Sequence, residues 1–294
     1  MSDRFQDLML FVRVADTGSF SRAGRELGYA QPTVSRMINA MEARLGVKLL
    51  MRTTRKVTPT EAGALLLDRA RTVLAELEDA ENAARGADGL SGVLRVATPV
   101  TFGAREIAPR LGPFLDANPA LRIELLMADR RIDLIDEGVD LAIRLGPLDD
   151  SSFVSRRLAS APRHIIASPA YIARRGCPMA PTDLQGHDII ASRAPGNVVW
   201  TMRQGQCGDI SVKLAARIVA TSIEGLLAAV AAGLGIAMTS AFACRGELER
   251  GEFVRLLTAY TLDPIDVHAL LPTGRQPPGK TRAFIDHLAS SLAK

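Results

Sequence analysis

The sequence is poor in the residue patterns that enzymes and metal sites use. Its three cysteines, Cys177, Cys207 and Cys244, are widely separated, odd in number and without nearby histidines. They make neither a zinc pattern nor a disulfide framework, and read as idle or buried thiols. The four histidines, His164, His187, His268 and His287, lack metal-ligand spacing, no carboxylate pair stands out, and no GxSxG elbow occurs. No metal, cofactor or catalytic constellation is therefore expected. Long apolar runs are also missing. The longest, residues 225–238, is interrupted by Gly225, Gly233 and Gly235 and falls short of the roughly 20 residues of a membrane span. Asp3, Arg4, Gln6, Asp7 and Arg13 break up any secretory h-region, so a cytoplasmic protein without membrane contact is expected.

Two glycine-rich matches carry less than they promise. Gly274 to Thr281 fits the GxxxxGK[ST] phosphate-loop pattern, but Pro277 and Pro278 have no N–H to offer a phosphate. Gly233-Leu234-Gly235 lacks the third glycine of a dinucleotide fingerprint.

What the chain does have is length and lopsided charge. At 294 residues it suggests two or three domains. Met1–Thr60 carries ten Lys and Arg against five acids, a surplus of +5; with +4 for the whole chain, the remainder carries −1. Basic charge confined to one small region is the footprint of a nucleic-acid module.

The order of elements there agrees. Phe5, Leu8, Phe11, Val12 and Ala15 predict a first helix ending at Thr17-Gly18, and Ser19 is a natural N-cap for a second with Phe20, Ala23 and Leu27 inward. Gly28-Tyr29 turns the chain into a third helix with Pro32 in its first turn and Val34, Ile38, Met41 and Leu45 on its buried stripe. That is a helix-turn-helix, and the start of its last helix is the part that reaches base edges in the major groove. Val47 to Val57 follows as two short extended pieces with a basic tip, a wing.

These residues resemble the LysR-type transcriptional regulators. The likeness is carried by Gly18-Ser19-Phe20-Ser21 with Ala23, by Gln31-Pro32-Thr33-Val34-Ser35, by Leu45 to Leu49, and by Arg52 to Arg55 followed by Thr60-Glu61-Ala62-Gly63. The resemblance implies DNA contacts from Ser21, Gln31, Pro32, Thr33, Ser35 and Arg36, and from Arg52, Thr54 and Arg55 in the wing. Where the family usually has Ser or Thr before the glutamine, this chain has Ala30, which weakens the N-cap by about 1 kcal/mol.

Thr58-Pro59-Thr60-Glu61 reads as a capping box opening a long helix. Its seam, Ala62, Leu66, Ala70, Val73, Leu77, Ala80 and Ala84, calls for a partner helix and hence a dimer. From Val93 onward, strands alternate with helices: Leu121 to Met127 and Leu141 to Leu145 are strands, Ile132 to Ile135 is a short helix, and Ile210 to Leu214 and Ile218-Val219 are separate strands. This order predicts parallel α/β sheets in two subdomains with a cleft between them. The stretches "SGVLRVATPVTFG", "LIDEGVDLAIRLGPLDDSSFVSRRL", "ASPAYIARRG", "AAGLGIAM" and "GKTRAFIDHLA" extend the LysR resemblance over the whole chain. It implies a ligand cleft formed by Thr98, Val100, Thr101, Phe102, Arg144, Gly146, Trp200, Thr221 and Ser222, with crossovers between subdomains near Pro162–His164 and Pro264–Val267.

The expected fold is α/β: an N-terminal winged helix-turn-helix (1–58), a linker and dimerisation helix (59–89), and a periplasmic-binding-protein-like effector domain (90–294). Subdomain I takes 92–162 and 267–294, and subdomain II takes 163–266. The expected partners are double-stranded operator DNA, a small-molecule effector for which a carboxylate suits the donors, further copies of the chain in a dimer or tetramer, and RNA polymerase if the protein activates. The competing reading is an enzyme with an appended DNA-binding domain.

Overall fold

The computed structural model describes residues 4–52, 57–84, 90–130, 134, 137–148, 153–192, 197–205, 208–271 and 277–293. Three helices open the chain: α1 (Arg4–Thr17), α2 (Phe20–Leu27) and α3 (Gln31–Leu45). Ser19 caps α2 by accepting from the Arg22 amide, and Gly28 ends it in the left-handed region at φ 76°. The turn into α3 is tight: a Cβ on Gly24 would lie 2.5 Å from the Tyr29 carbonyl oxygen, so only glycine fits. The buried stripes differ from those the spacing predicts. Leu10, Phe11 and Val14 are fully buried on α1, while Phe5 is on the outer face, as are Leu27 of α2 and Leu45 of α3. Because α1 packs against α2, α3 and the linker helix, its inner face is wider than one amphipathic stripe.

The wing is a two-stranded antiparallel ribbon, β1 (Leu50–Arg52) and β2 (Val57–Pro59), with Leu50 opposite Pro59 and Arg52 opposite Val57. That pairing draws Pro59 into a strand, so the expected capping box at Thr58 does not form. The linker helix α4 (Glu61–Ala84) starts later, capped by the Thr60 hydroxyl, which accepts from the Gly63 amide at 3.0 Å. The first turn of α4 rests on the wing: a Cβ on Gly63 would meet the Leu49 carbonyl oxygen at 1.9 Å. Leu67 and Leu66 of α4 join the helix-turn-helix core, whereas Val73 stays exposed.

The rest of the chain builds two sheets. Its elements are β3 (Gly92–Thr98), α5 (Val100–Phe102), a π-helical turn (Gly103–Ile107) leading through a 3₁₀ turn to α6 (Leu111–Asp116), β4 (Leu121–Met127), β5 (Leu141–Leu145), β6 (Val154–Ala161), β7 (Arg163–Ala167) and α7 (Pro169–Arg175). Then come β8 (Ile189–Ser192), β9 (Asn197–Arg203), β10 (Ile210–Ala220), α8 (Ile223–Ala231), β11 (Ile236–Ser240), α9 (Ala241–Glu249), β12 (Val254–Leu256), β13 (Thr261–Leu262), β14 (Ile265–Leu271) and α10 (Gly279–Leu292).

The first sheet has the order β4-β3-β5-β14-β6 and the second β12-β7-β11-β8-β10-β9-β13. Both are mixed, where the sequence suggested parallel: β3 runs parallel to β4 and β5, but β14 is antiparallel to β5 and β6. The reason is connectivity, since β14 returns to the first sheet from the second and enters from the opposite end. The chain crosses between sheets at Pro162 and at residues 263–264, and the two crossings lie side by side, Ile265 facing Ala161. The two expected strands at 210–214 and 218–219 are one strand, β10, irregular between Ala216 and Ile218 where it pairs β8. The helix expected at Ile132–Ile135 lies, apart from Leu134, outside the described residues.

Candidate nucleic-acid interface and ligand cleft

The start of α3 faces solvent. Ala30 at its N-cap makes no side-chain cap; Pro32 has no N–H, and the Thr33 and Val34 amides donate to the Ala30 carbonyl at 2.9 and 3.2 Å. Gln31, Pro32 and Arg36 are exposed and Thr33 and Ser35 half-buried, all presented on or beside the face opposite Val34, Ile38 and Met41. Ser21 of α2 donates to the Gln31 side chain at 2.7 Å, and Arg36 leans on the Thr33 hydroxyl at 3.4 Å. Four of the nominated residues of α2 and α3 thus form two hydrogen-bonded pairs, Ser21 with Gln31 and Arg36 with Thr33. In the wing, Arg52 sits on β1 opposite Val57, while Thr54 and Arg55 lie outside the described residues.

The acids of this module are already engaged. Glu26 is bridged by Arg13 and by Arg22 at 3.2 Å, Asp7 faces Arg44 at 3.6 Å, and Asp16 pairs with Arg71 of the linker helix. Among the described residues no carboxylate meets Arg25 or Arg36, so their charge stays available to DNA.

Sequence reasoning missed one residue here. Glu42 points inward from α3 at 5% exposure, accepts from the amides of Leu49 (2.9 Å) and Leu50 (3.2 Å), and meets Lys48 at 2.6 Å. Burial alone would push its carboxyl up, but the hydrogen bonds from Lys48 and the two amides outweigh it and hold the group below its ordinary value. Nothing in a lone Glu at mid-helix signals such a role.

Between the two sheets lies a cavity of about 600 Å³, within the range of small-molecule sites. Thr101, Phe102, Arg144 and Thr221, four of the nominated residues, line it. The other five do not line it. Thr98 is buried at the end of β3, and the Val100 amide donates to Asp129 at 3.1 Å. Gly146 donates its amide to the Asp266 carbonyl at 2.8 Å, and Ser222 is the N-cap of α8, accepting from the Gly225 amide. Trp200 is 4% exposed in the core of the second sheet, its ring packed with Met202 and Val212 rather than set in the cavity wall.

Tertiary structure adds residues that no local pattern marks: Asp129 and Arg130 after β4, Phe153 before β6, Arg163 opening β7, and Phe242 of α9. Arg130, Arg144 and Arg163 face a single described acid, Asp129. The Thr101 hydroxyl lines the same space at 4% exposure with no hydrogen-bond partner among the described residues. A buried hydroxyl without a partner costs roughly 1–3 kcal/mol.

Burial pushes the Cys244 thiol up to about 11, so it is inert at neutral pH. Cys177 is exposed and Cys207 lies outside the described residues. Among the described residues no group of His, Cys, Asp and Glu could hold a metal, and no helix is long and apolar enough to cross a membrane.

A winged helix-turn-helix joined by a long helix to a two-sheet domain with an interior cleft defines a ligand-responsive DNA-binding regulator. The comparisons name the family. Residues 5–64 match the profile described as bacterial regulatory helix-turn-helix protein, lysR family, and residues 87–293 the LysR substrate binding domain. An HTH-type transcriptional regulator of Xanthomonas campestris pv. campestris is 36% identical over 99% of this chain and 86% of its own. CrgA of Neisseria meningitidis serogroup C is 33% identical over 99% of this chain and 98% of its own. The solved structure of CrgA, a LysR-type regulator, aligns over 100% of both chains at 32% identity with a TM-score of 0.63. Full-length AphB, a virulence activator of Vibrio cholerae, aligns over 99% of both at 27% identity and TM-score 0.59. The chain belongs to the LysR family of transcriptional regulators, with a DNA-binding and an effector-binding domain.

Proposed function

We propose that this regulator reads its operator through Ser21, Gln31, Pro32, Thr33, Ser35 and Arg36, with Arg52, Thr54 and Arg55 of the wing on the flanking backbone. The solvent-facing start of α3, and Arg25 and Arg36, which meet no carboxylate among the described residues, support this reading. Phosphate contacts fix register, and base contacts by α3 specify sequence. The working division of the chain is 1–58 for DNA, 59–89 for pairing, and 90–294 for the ligand, with subdomain II ending at the 263–264 crossing rather than at 266. The protein acts in the cytoplasm as a dimer or tetramer, by binding rather than catalysis, and touches RNA polymerase if it activates.

The ligand is a small anion held between the sheets. The observation that carries this is the Thr101 hydroxyl, without a hydrogen-bond partner among the described residues, in a cleft that also presents Arg163 and Arg144. A carboxylate would accept from that hydroxyl and from a guanidinium, and charge-assisted bonds are the strong ones. The ligand must favour one arrangement of the two sheets over another to regulate anything. A thermal-shift screen of small carboxylates against neutral and cationic analogues tests this reading. Carboxylates should dominate the hits and lose their effect in Arg163→Ala; hits confined to cations would refute it.

A further inference from the structure

Arg105 ties the two sheets together beside the cleft. It projects from the π-helical turn that follows the cavity-lining residues Thr101 and Phe102, and such turns concentrate at functional positions. That turn is seated hard on the first sheet: a Cβ on Gly103 would lie 2.6 Å from the Thr98 side chain. From this fixed base the guanidinium reaches across to the second sheet's helices. Its Nε and Nη2 donate to the two oxygens of Glu224, each at 3.2 Å, and its Nη1 donates to Glu247 at 2.8 Å and to the Ala243 carbonyl at 2.6 Å.

Every partner sits on an element that also walls the cavity. Glu224 is in the first turn of α8, next to Ile223, and Ala243 and Glu247 are on α9 with Phe242. Beneath the ion pairs, Phe102 and Phe242 meet edge to face at 5.4 Å, a second contact across the same boundary. Arg245 of α9 also meets Glu106 of the same turn at 3.8 Å, and the chain itself crosses between the sheets near Arg163 and Ile265. Crossings of this kind act as hinges, and a clasp elsewhere on the rim decides how far they open.

We propose that Arg105 is the positioning residue that sets the width of the ligand cleft, by clasping α8 and α9 to the first sheet through Glu224 and Glu247. Both Nη1 bonds and the bidentate pair must break for the sheets to part, and they are half-shielded from solvent at Arg105 and mostly shielded at Glu247. Salt screens exposed pairs more than buried ones, so ionic strength loosens the Glu224 arm of the clasp more than the Glu247 arm. The clasp stands independently of which molecule fills the cleft.

Hydrogen exchange on the full-length protein tests this without a ligand. In Arg105→Gln at low salt, amides of α8 and α9 facing the cleft should exchange about tenfold faster than in wild type. In 1 M NaCl exchange there should quicken in the wild type, through the exposed Glu224 arm, and barely move in the variant. Arg105→Lys should restore part of the protection. Glu224→Gln, which removes only the more exposed partner, provides a milder version should Arg105→Gln fail to fold. Unchanged exchange in α8 and α9, acceleration spread evenly over the whole domain, or a wild type as insensitive to salt as the variant would overturn the proposal.

Discussion

Glu42 and Lys48 lock the wing to the reading helix. The carboxylate meets the ammonium at 2.6 Å and with its other oxygen receives the amides of Leu49 and Leu50, so the ribbon's entry is fixed by one buried side chain of α3. Because the folded-state carboxyl is held below its ordinary value, its stabilisation is complete at neutral pH and is lost as pH falls through that lowered value. Glu42→Gln should lower the unfolding free energy of the DNA-binding unit in urea at pH 7 by about 1–2 kcal/mol, and the gap to wild type should narrow at a pH below the ordinary carboxylate range. An equal gap at both pH values would mean the charge plays no part.

A second ion pair, Asp16 with Arg71, joins the end of α1 to the linker helix, and both groups are mostly buried. The turn at Gly138 lies against it, a Cβ there coming 3.7 Å from the Arg71 guanidinium. Arg71→Ala should cost about 1–2 kcal/mol and lower the first calorimetric transition by roughly 4–8 °C. A thermogram identical to wild type would show that packing of Leu66 and Leu67 alone holds α4 in place.

The elements that a sequence reveals are those whose signal is local. β4 and β5 were legible to the residue because apolar runs are bounded by turn residues, and α3 because Pro32 and the Val34–Ile38–Met41 spacing announce it. Helix α9 was not: Phe242, Ala243 and Cys244 are consecutive, Gly246 interrupts, and two turns are too short for a period to show. β10 looked like two strands because Ala215, Ala216 and Arg217 interrupt its apolar pattern at an irregularity. In the cleft, Thr101 and Arg144 were recoverable through a family likeness, whereas Asp129, Arg130 and Arg163 reach it only through the crossing of two sheets. Trp200 shows the converse, a residue nominated for the cleft whose large apolar surface is taken into the core.

Removing the stranded hydroxyl should separate stability from binding. Without ligand, Thr101→Val keeps the shape and deletes a buried polar atom that has no partner among the described residues, so the domain should gain about 1 kcal/mol. The same variant should bind the best carboxylate from the thermal screen about tenfold more weakly, measured by calorimetry. A destabilised variant with unchanged affinity would mean the hydroxyl is satisfied by another route and lies outside the ligand's reach.

The exposed part of the linker helix should carry self-association. Val73 is 42% exposed and Leu77 half-buried on α4, beyond the turn that packs on the wing. Val73→Asp with Leu77→Asp should reduce the mass found by light scattering to that of a smaller assembly and weaken binding to a two-fold operator. An unchanged mass would assign the interface elsewhere.

The most direct measurement is the affinity of wild type and Arg36→Ala for a duplex selected from random sequence and for a scrambled duplex, by fluorescence anisotropy over a range of salt. If α3 reads bases, the variant should lose about 1–3 kcal/mol on the selected duplex and far less on the scrambled one, with the salt slope on the scrambled duplex nearly unchanged. Equal affinities of the two proteins for the selected duplex, or equal losses on both duplexes, would contradict the assignment of sequence reading to this helix.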